Sequence, residues 1–157
     1  MFIGDNTMFC TMCDKNVNYK IITEIIDEYR GYKVNVKQNI AVCDNCGERI
    51  YVSELENENL KNLYQKYRDM SGIVSPEDII EFRKKYDISK EELVAILDWG
   101  KMTVNRYERG ALPNQSHSDI LKLIIKNESY FKKKVQEAYK DKRISQRTYD
   151  NIMQISQ

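Results

Sequence analysis

The sequence is poor in histidine and glycine and has no long hydrophobic run, and each of these shortages excludes a class of protein. It contains one histidine and six scattered glycines, so it lacks both a paired acid–base network and a phosphate-binding loop. No segment is apolar for long enough to cross a bilayer, and the N-terminus lacks the hydrophobic centre of a signal peptide. We therefore expect a cytoplasmic protein that is neither an enzyme nor a membrane protein.

The charge of the chain is unevenly distributed. The 157 residues are 41% hydrophobic and 31% charged, which is typical of a globular protein of one ordinary domain or two small ones. Residues 1–70 carry 9 Lys/Arg and 11 Asp/Glu, a net charge of −2, whereas residues 71–157 carry 16 and 13, a net charge of +3. This balance excludes a strongly basic nucleic-acid coat but allows a local basic face in the second half.

Two segments rich in Val, Ile, Tyr and Thr precede the helical part of the chain. The stretches 17–29 and 32–43 flank an Arg-Gly pair and predict an antiparallel β-hairpin. Residues 53–70 repeat apolar residues at helical spacing and begin with a serine, a suitable N-cap. We expect residues 1–70 to form one domain, a hairpin with a trailing helix, and residues 71–75 to be a linker.

From Ser75 onward the pattern is helical. Ser75-Pro76 and the segment 89–92 are helix starts, because a serine N-cap, a proline in the first turn and a capping-box glutamate favour helix initiation. The predicted helices are 76–86, 89–97, 101–109, 117–126, 129–140 and 145–155. The predicted fold class is therefore α+β: a small hairpin domain, then an all-α domain at 76–130 and a C-terminal helical extension at 131–157.

The four cysteines form two Cys-x2-Cys pairs, Cys10 with Cys13 and Cys43 with Cys46. Two residues between cysteines let both thiolates of a tight turn reach one ion, and Gly47 supplies the left-handed residue that such a turn needs. In a reducing cytoplasm this pattern favours metal ligands over disulfides. We expect the pairs, which flank the hairpin, to hold one structural Zn²⁺ per chain that supplies much of the stability of this small domain.

Two other interpretations of the cysteines have less support. A redox Cys-x2-Cys belongs at a helix N-terminus within a thioredoxin-like βαβ pattern, and neither pair has that setting. A catalytic zinc needs an open coordination position, usually with histidine or carboxylate ligands. The single histidine, His117, is far from the cysteines in sequence, and we expect it to be a surface or helix-cap residue.

Helices 89–97 and 101–109, joined at Gly100, have the layout of a helix-turn-helix. The second, recognition helix presents to the DNA major groove the candidate DNA-binding residues Lys101, Met102, Thr103, Asn105 and Arg106. Arg106 can make a bidentate contact with guanine, and Asn105 can read adenine or hold a phosphate. Five basic residues against two acidic ones over 99–126 suit a DNA backbone. Periodicity alone fits a polar surface helix of an all-α bundle equally well.

The segment "ISKEELVAILDWGKMTVNRYERGALPN" resembles the Xre-type, lambda-repressor-like helix-turn-helix, above all in "NRYERG" followed by a proline. A four-cysteine hairpin before such a domain resembles the MqsA antitoxin family with its YgiT-type zinc finger. The same pairing opens the longer SocA/Panacea-type antitoxins, whose recognition helix carries a similar "WG…T…RYE.G" pattern. The resemblance covers roughly residues 8–130 and leaves out the tail.

The resemblance implies the following roles. The four cysteines are the family's zinc ligands, and Arg106 is its base-reading arginine. The family's second base reader, an asparagine, falls on Met102, which cannot make that pair of hydrogen bonds, so we expect a different operator sequence. Tyr107, Glu108 and Gly110 match the structural part of the motif through core packing, local hydrogen bonding and helix termination.

The same resemblance implies an antitoxin and transcriptional autorepressor. Such a protein is a homodimer through its helical half, binds a palindromic operator in double-stranded DNA, and contacts a toxin, an RNase in this family, through its zinc half. Alternatives are a transcription regulator unrelated to a toxin, the N-terminal part of a longer SocA-like antitoxin, a zinc-ribbon adaptor that binds only protein, and a dithiol oxidoreductase or zinc hydrolase.

Overall fold

The computed structural model describes residues 7–155. The chain divides into two compact units, Met1–Ser71 and Gly72–Gln157. The first unit holds an antiparallel sheet of strand order β1-β2-β3-β4, followed by one helix. Its elements are β1 (Thr7–Cys10), β2 (Lys15–Tyr29), β3 (Tyr32–Cys43), β4 (Arg49–Ile50) and α1 (Ser53–Ser71). The predicted hairpin is confirmed as β2 and β3, and the predicted trailing helix as α1.

The hairpin turn and the two short strands depend on local geometry. Arg30 and Gly31 both have positive φ, 48° and 85°, as a tight hairpin turn requires. β1 pairs with the start of β2, and β4 pairs with Ala41 and Val42 near the end of β3. Neither short strand was predicted, because four and two residues are too few to show a strand pattern.

The two outer edges of the long hairpin differ. On β3, beyond the end of β4, the Asn59 side chain of α1 accepts a hydrogen bond from the Asn39 N–H (3.0 Å) and donates one to the Asn39 carbonyl (2.8 Å). On β2, β1 pairs only as far as Asn18, and within residues 7–155 no strand pairs with the outer edge of 19–29. One edge of the hairpin is therefore covered by a helix, whereas the other has no strand partner beyond Asn18 among residues 7–155.

The second unit is all helical over its described residues. Its helices are α2 (Pro76–Tyr86), α3 (Lys90–Leu97), α4 (Thr103–Glu108), α5 (Gln115–Lys126), α6 (Glu128–Lys140) and α7 (Gln146–Gln154). The predicted helix start at Ser75 and the predicted capping box at Ser89 are both present, and Ser75 forms a capping box as well, with Asp78. The α+β class, a cysteine-bearing hairpin before an all-α part, is confirmed.

Helix starts differ from the predicted ones where a cap was not recognised. α5 begins at residue 115 rather than 117, because the Asn114 side chain accepts a hydrogen bond from the His117 N–H (2.8 Å). α4 begins at Thr103 rather than 101, because the Thr103 N–H bonds to the Gly100 carbonyl in a turn (3.0 Å) and the helical bonds start at Met102.

The C-terminal helices share one core with the rest of the second unit. Phe131, Val135, Ala138 and Ile152 are completely buried, in the same cluster as the side chains of α2 to α5. The boundary predicted at residue 130 therefore falls inside a packed unit. The predicted linker also reaches into this core, since Val74 is buried and its N–H donates to the buried Ser118 hydroxyl (3.0 Å).

None of the described helices is long and apolar enough to cross a membrane.

Candidate metal centre and helix-turn-helix

The four cysteine sulfurs lie together at the open end of the hairpin. Cys10 ends β1 and Cys43 ends β3, and each begins a tight turn that carries the second cysteine of its pair. The sulfurs of Cys10 and Cys46 are 3.6 Å apart, those of Cys13 and Cys43 are 3.9 Å apart, and all four lie within 4.8 Å of one another. Zn–S bonds of about 2.3 Å in a tetrahedron separate sulfurs by about 3.8 Å. The four cysteines therefore fit one structural zinc ion.

The two turns have the same backbone design. In each, the carbonyl of the first cysteine accepts a hydrogen bond from the N–H four residues on: Asp14 to Cys10 (2.8 Å) and Gly47 to Cys43 (2.9 Å). Both donors are left-handed, with φ of 54° at Asp14 and 78° at Gly47. The sequence indicated this conformation at Gly47 but not at Asp14, where a short polar side chain tolerates it. The pairs are thus two copies of one metal-binding turn.

The cysteines of this site differ in how readily they ionise, and hydrogen bonds to sulfur favour the thiolate of Cys43. The backbone N–H groups of Asn45 and Cys46 lie 3.3 and 3.4 Å from the Cys43 sulfur, and the Asn45 amide nitrogen lies 3.2 Å from the Cys13 sulfur. Burial acts to raise the pKa of Cys43, but these backbone donors outweigh it and lower the pKa to about 7. The backbone hydrogen bond from Glu48 favours the thiolate of Cys46, but burial and the neighbouring thiols raise its pKa to about 12. Four thiols this close cannot all ionise without a cation among them.

In the helix-turn-helix region, the short helix α4 packs against the longer helices α2 and α3. α3 ends at Asp98, which is left-handed (φ 57°), and α4 is only six residues long. The side chains of Val104 and Tyr107 point into the core, 0% and 8% exposed. The opposite stripe of α4, at positions i, i+3, i+4 and i+7, consists of Met102, Asn105, Arg106 and Arg109. We call these four residues the outer stripe.

The structure separates the predicted DNA-binding residues into three groups. Lys101, Met102 and Arg106 are exposed. Asn105 is half-buried, and its carbonyl oxygen accepts a hydrogen bond from the Lys90 ammonium group (2.9 Å). Thr103 is only 6% exposed and packs inward, so it offers almost no surface to a ligand. Arg109, which sequence reasoning did not select, completes the outer stripe and is exposed.

An ion pair with α2 supports the inner side of α4, and a glycine ends the helix. Glu108 forms a two-bond ion pair with Arg83 of α2, with both N···O distances 2.7 Å and the Glu108 side chain 5% exposed. The hydrogen-bonding role implied for Glu108 therefore involves Arg83, a residue 25 positions away. Gly110 follows α4 with φ of 112°, which fits its implied role in ending the helix.

His117 is more than the surface or cap residue that was predicted. Its backbone lies in the α5 cap, but its ring stacks on Trp99 (3.8 Å between centroids) and hydrogen-bonds the Tyr107 hydroxyl through Nδ1 (2.7 Å). Burial lowers the pKa of His117. The ring thus joins the turn before α4, α4 itself and the start of α5.

The C-terminal helices hold α3 in place. Arg143, between α6 and α7, donates to the carbonyls of Ala95 and Ile96 at the end of α3 (2.6 and 3.0 Å). At the other end of α3, the Glu92 carboxylate accepts a hydrogen bond from the Thr148 hydroxyl (2.8 Å). These contacts give residues 131–157 a defined role, because they hold both ends of α3, the first helix of the helix-turn-helix.

The chain thus combines a four-cysteine metal centre on an antiparallel sheet with a helical unit that has the layout of a helix-turn-helix. The family model for MqsA, the antitoxin component of a bacterial toxin-antitoxin system, matches residues 8–133. The chain therefore belongs to the MqsA antitoxin family. No curated protein matches the sequence significantly.

Proposed function

We propose that this chain is a non-enzymatic antitoxin that binds a toxin through its zinc unit and represses its own operon by binding DNA through its helical unit. Membership of the MqsA family supports the antitoxin role. The proposed form is a cytoplasmic homodimer on a palindromic operator, because one short reading helix makes few base contacts and a dimer doubles them.

The outer stripe of α4 carries the DNA-binding part of this proposal. Arg106 and Arg109 lie one turn apart on a face whose underside is fixed by Tyr107 and by the Arg83–Glu108 ion pair. A rigid helix with exposed arginines and no exposed carboxylate on the same stripe suits the major groove. We keep Lys101, Met102, Asn105 and Arg106 as the contacts and leave out Thr103 because it is buried.

The test of DNA binding is the substitution Arg106→Ala. Selection from a random duplex library identifies the operator, and its affinity is then compared with that of random DNA at one salt concentration. Arg106→Ala removes a bidentate contact of about 1–3 kcal/mol per protomer, so a dimer loses roughly 2–6 kcal/mol of operator affinity. Lys140→Ala, an exposed charge at the end of α6, is the control and keeps full affinity. Unchanged operator binding by Arg106→Ala would contradict the proposal.

The outer edge of β2 beyond Asn18 supports the toxin-binding part of the proposal. Ile21, Ile22 and Ile25 are 42%, 38% and 59% exposed along the stretch that no described strand pairs with. Backbone groups that have no partner strand in the described part of the chain, beside exposed isoleucines, suit the addition of a strand from a partner protein. We propose that the toxin occupies this edge.

Co-expression with the product of the neighbouring gene tests the toxin partner. A complex that forms with the parent protein and is lost with Ile25→Lys supports the proposal. Leu60→Lys, at an exposed position on α1, is the control and should leave the complex intact. If operator binding is present but no complex forms with a neighbouring gene product, a regulator unrelated to a toxin, or the front part of a longer SocA-like antitoxin, is favoured instead.

A further inference from the structure

The side chain of Asn45 links the two cysteine pairs of the metal centre. Asn45 belongs to the second turn, between Cys43 and Cys46, yet its Nδ2 lies 3.2 Å from the sulfur of Cys13 in the first turn, 32 residues away. A zinc-bound thiolate can only accept a hydrogen bond, so the amide must contact it through the NH2 group. The backbone N–H of Asn45 also donates to the Cys43 sulfur, at 3.3 Å. One residue thus donates to a sulfur of each pair.

The first turn has no matching side chain. Because the two turns share one backbone design, Asn45, two residues after Cys43, corresponds to Met12, two residues after Cys10. The side chain of methionine offers no hydrogen-bond donor, and Met12 is 70% exposed. Over residues 7–155, the side-chain link between the turns therefore runs from the second turn to the first only. Met12 is a natural reference for what the Asn45 amide adds.

The charge of the site gives this hydrogen bond its importance. Four thiolates of charge −1 and one Zn²⁺ leave a net charge of −2, which N–H donors to sulfur stabilise. Cys43 receives two such bonds from backbone groups, which no side-chain substitution removes. Within residues 7–155, the Asn45 amide is the donor to the Cys13 sulfur besides the neighbouring thiol. The stabilisation of the Cys13 thiolate thus depends on one replaceable side chain.

We propose that Asn45 is a positioning residue of the metal centre, whose amide holds the Cys13 sulfur toward the second pair, tightens zinc binding and makes the Cys13 thiolate less reactive. Outer-shell hydrogen bonds orient metal ligands in this way. They also draw electron density from sulfur, and the thiolate is the form of cysteine that attacks electrophiles. This inference concerns the sheet unit alone and does not depend on toxin binding or DNA binding.

Zinc affinity is the first readout, measured by competition with a chelator of known affinity at one pH. Asn45→Ala keeps the backbone N–H and removes the amide, so it should weaken zinc binding about tenfold, the lower end for an outer-shell contact, because Asn45 is exposed to water. Asn45→Asp keeps the shape but turns an oxygen toward the thiolate, so it should bind zinc more weakly still. Met12→Ala, at the equivalent position, is the control and should bind zinc as the parent does.

The second readout is the site of alkylation in the zinc-saturated protein. Iodoacetamide forms an S–C bond with a thiolate and releases iodide, and peptide mass spectrometry shows which cysteine has reacted. Cys13 is half-buried and Cys46 is exposed, so a small reagent can reach both. In Asn45→Ala the rate at Cys13 should rise severalfold relative to the rate at Cys46, whereas in Met12→Ala the ratio should stay that of the parent.

The outcomes separate a positioning role from a general loosening of the site. Weaker zinc binding in the order parent, Asn45→Ala, Asn45→Asp, with Cys13 alone more reactive, supports the inference. If Asn45→Asp binds zinc as tightly as the parent, only the shape of the side chain matters and the inference is wrong. An equal rise in alkylation at all four cysteines of Asn45→Ala also overturns it. Should Asn45→Ala fail to fold even with excess zinc, the isosteric Asn45→Asp carries both readouts.

Discussion

The two units of this chain are stable for different reasons. Over its described residues, the helical unit has one continuous core of sixteen buried residues, which extends from Val74 to Ile152. The sheet unit has two separate clusters of six and three buried residues over its described part, and the larger one includes Cys10 and Cys43. One unit thus resembles an ordinary globular domain, whereas the other builds its larger cluster around the metal ligands.

This difference explains where each unit can carry exposed functional groups. The helical unit fixes a six-residue helix by packing from several sides, so its outer stripe can be polar. The sheet unit fixes the base of a long hairpin by the four cysteines, so the middle of β2 can remain exposed on both faces. A small unit that a metal stabilises needs less buried apolar surface, and a long strand in it can remain exposed.

Removal of the metal should have the largest effect and should separate the units. A chelator, or Cys43→Ser, is expected to unfold the sheet unit, because binding energies of about 10–16 kcal/mol for structural zinc are folding energy in small domains. The helical unit should keep its helices and its melting transition. Circular dichroism and elemental analysis of the parent, which should contain one zinc per chain, measure both effects. Absence of zinc, or joint loss of both units, would contradict the comparison.

The separation into a metal-held and a self-packed unit was visible in the sequence, because both signals are local. Doubled Cys-x2-Cys spacing and period-two patterning identify the hairpin and its ligands within short windows. Serine caps three residues before an acidic side chain identify the starts of α2 and α3 in the same way. Thr103 was the exception: its position on the helix suggested exposure, and the packing of α4 buries it.

What the sequence did not reveal are contacts between distant residues. Arg83 bonds to Glu108, 25 residues away, and Asn59 bonds to Asn39, 20 residues away. Arg143 bonds to the end of α3, 47 and 48 residues away. Periodicity indicates which face of a helix is buried but not which partner it meets, and polar pairs carry no periodic signal. For this reason residues 131–157 were predicted as a separate extension and not as part of the helical core.

The second largest effect should come from Phe131→Ala in the tail. Its ring is completely buried, with centroids 4.8 Å from Phe82 and 4.7 Å from Tyr86. Truncation of such a ring costs about 3–5 kcal/mol. Thermal melts should show this loss in the helical unit alone, whereas Tyr139→Ala, at a position 37% exposed, should cost less. A parent-like melt for Phe131→Ala would mean that the tail is not part of the core.

A smaller effect is expected at the ion pair below α4. Glu108→Gln keeps the shape of the side chain but removes the charge that faces Arg83, and a hydrogen bond to a buried charged group lost in this way costs about 1–3 kcal/mol. Glu137→Gln should cost only about 0–0.5 kcal/mol, because its ion pair with Lys134 is 3.7 Å long and the Glu137 side chain is 48% exposed. Equal melting temperatures for the two variants would show that the Arg83–Glu108 pair does not support α4.

The smallest effect should appear at the covered edge of the sheet unit, and it sharpens the comparison because it tests a contact that does not involve the metal. Asn59 is only 7% exposed, and Asn59→Ala removes both of its hydrogen bonds to the Asn39 backbone. The N–H and the carbonyl of Asn39 therefore lose their partners on α1. Water can replace part of this pairing once the side chain is shortened, so the expected cost is about 1 kcal/mol.

Asn57→Ala, on the exposed side of the same helix, controls for the change in helix propensity, which favours alanine in both. Denaturant unfolding of the zinc-loaded protein, followed by a probe on the sheet unit, should place Asn59→Ala below both the parent and Asn57→Ala. If the two variants unfold together, the contact between α1 and the β3 edge adds nothing to stability, and the metal and the two small clusters alone hold that unit.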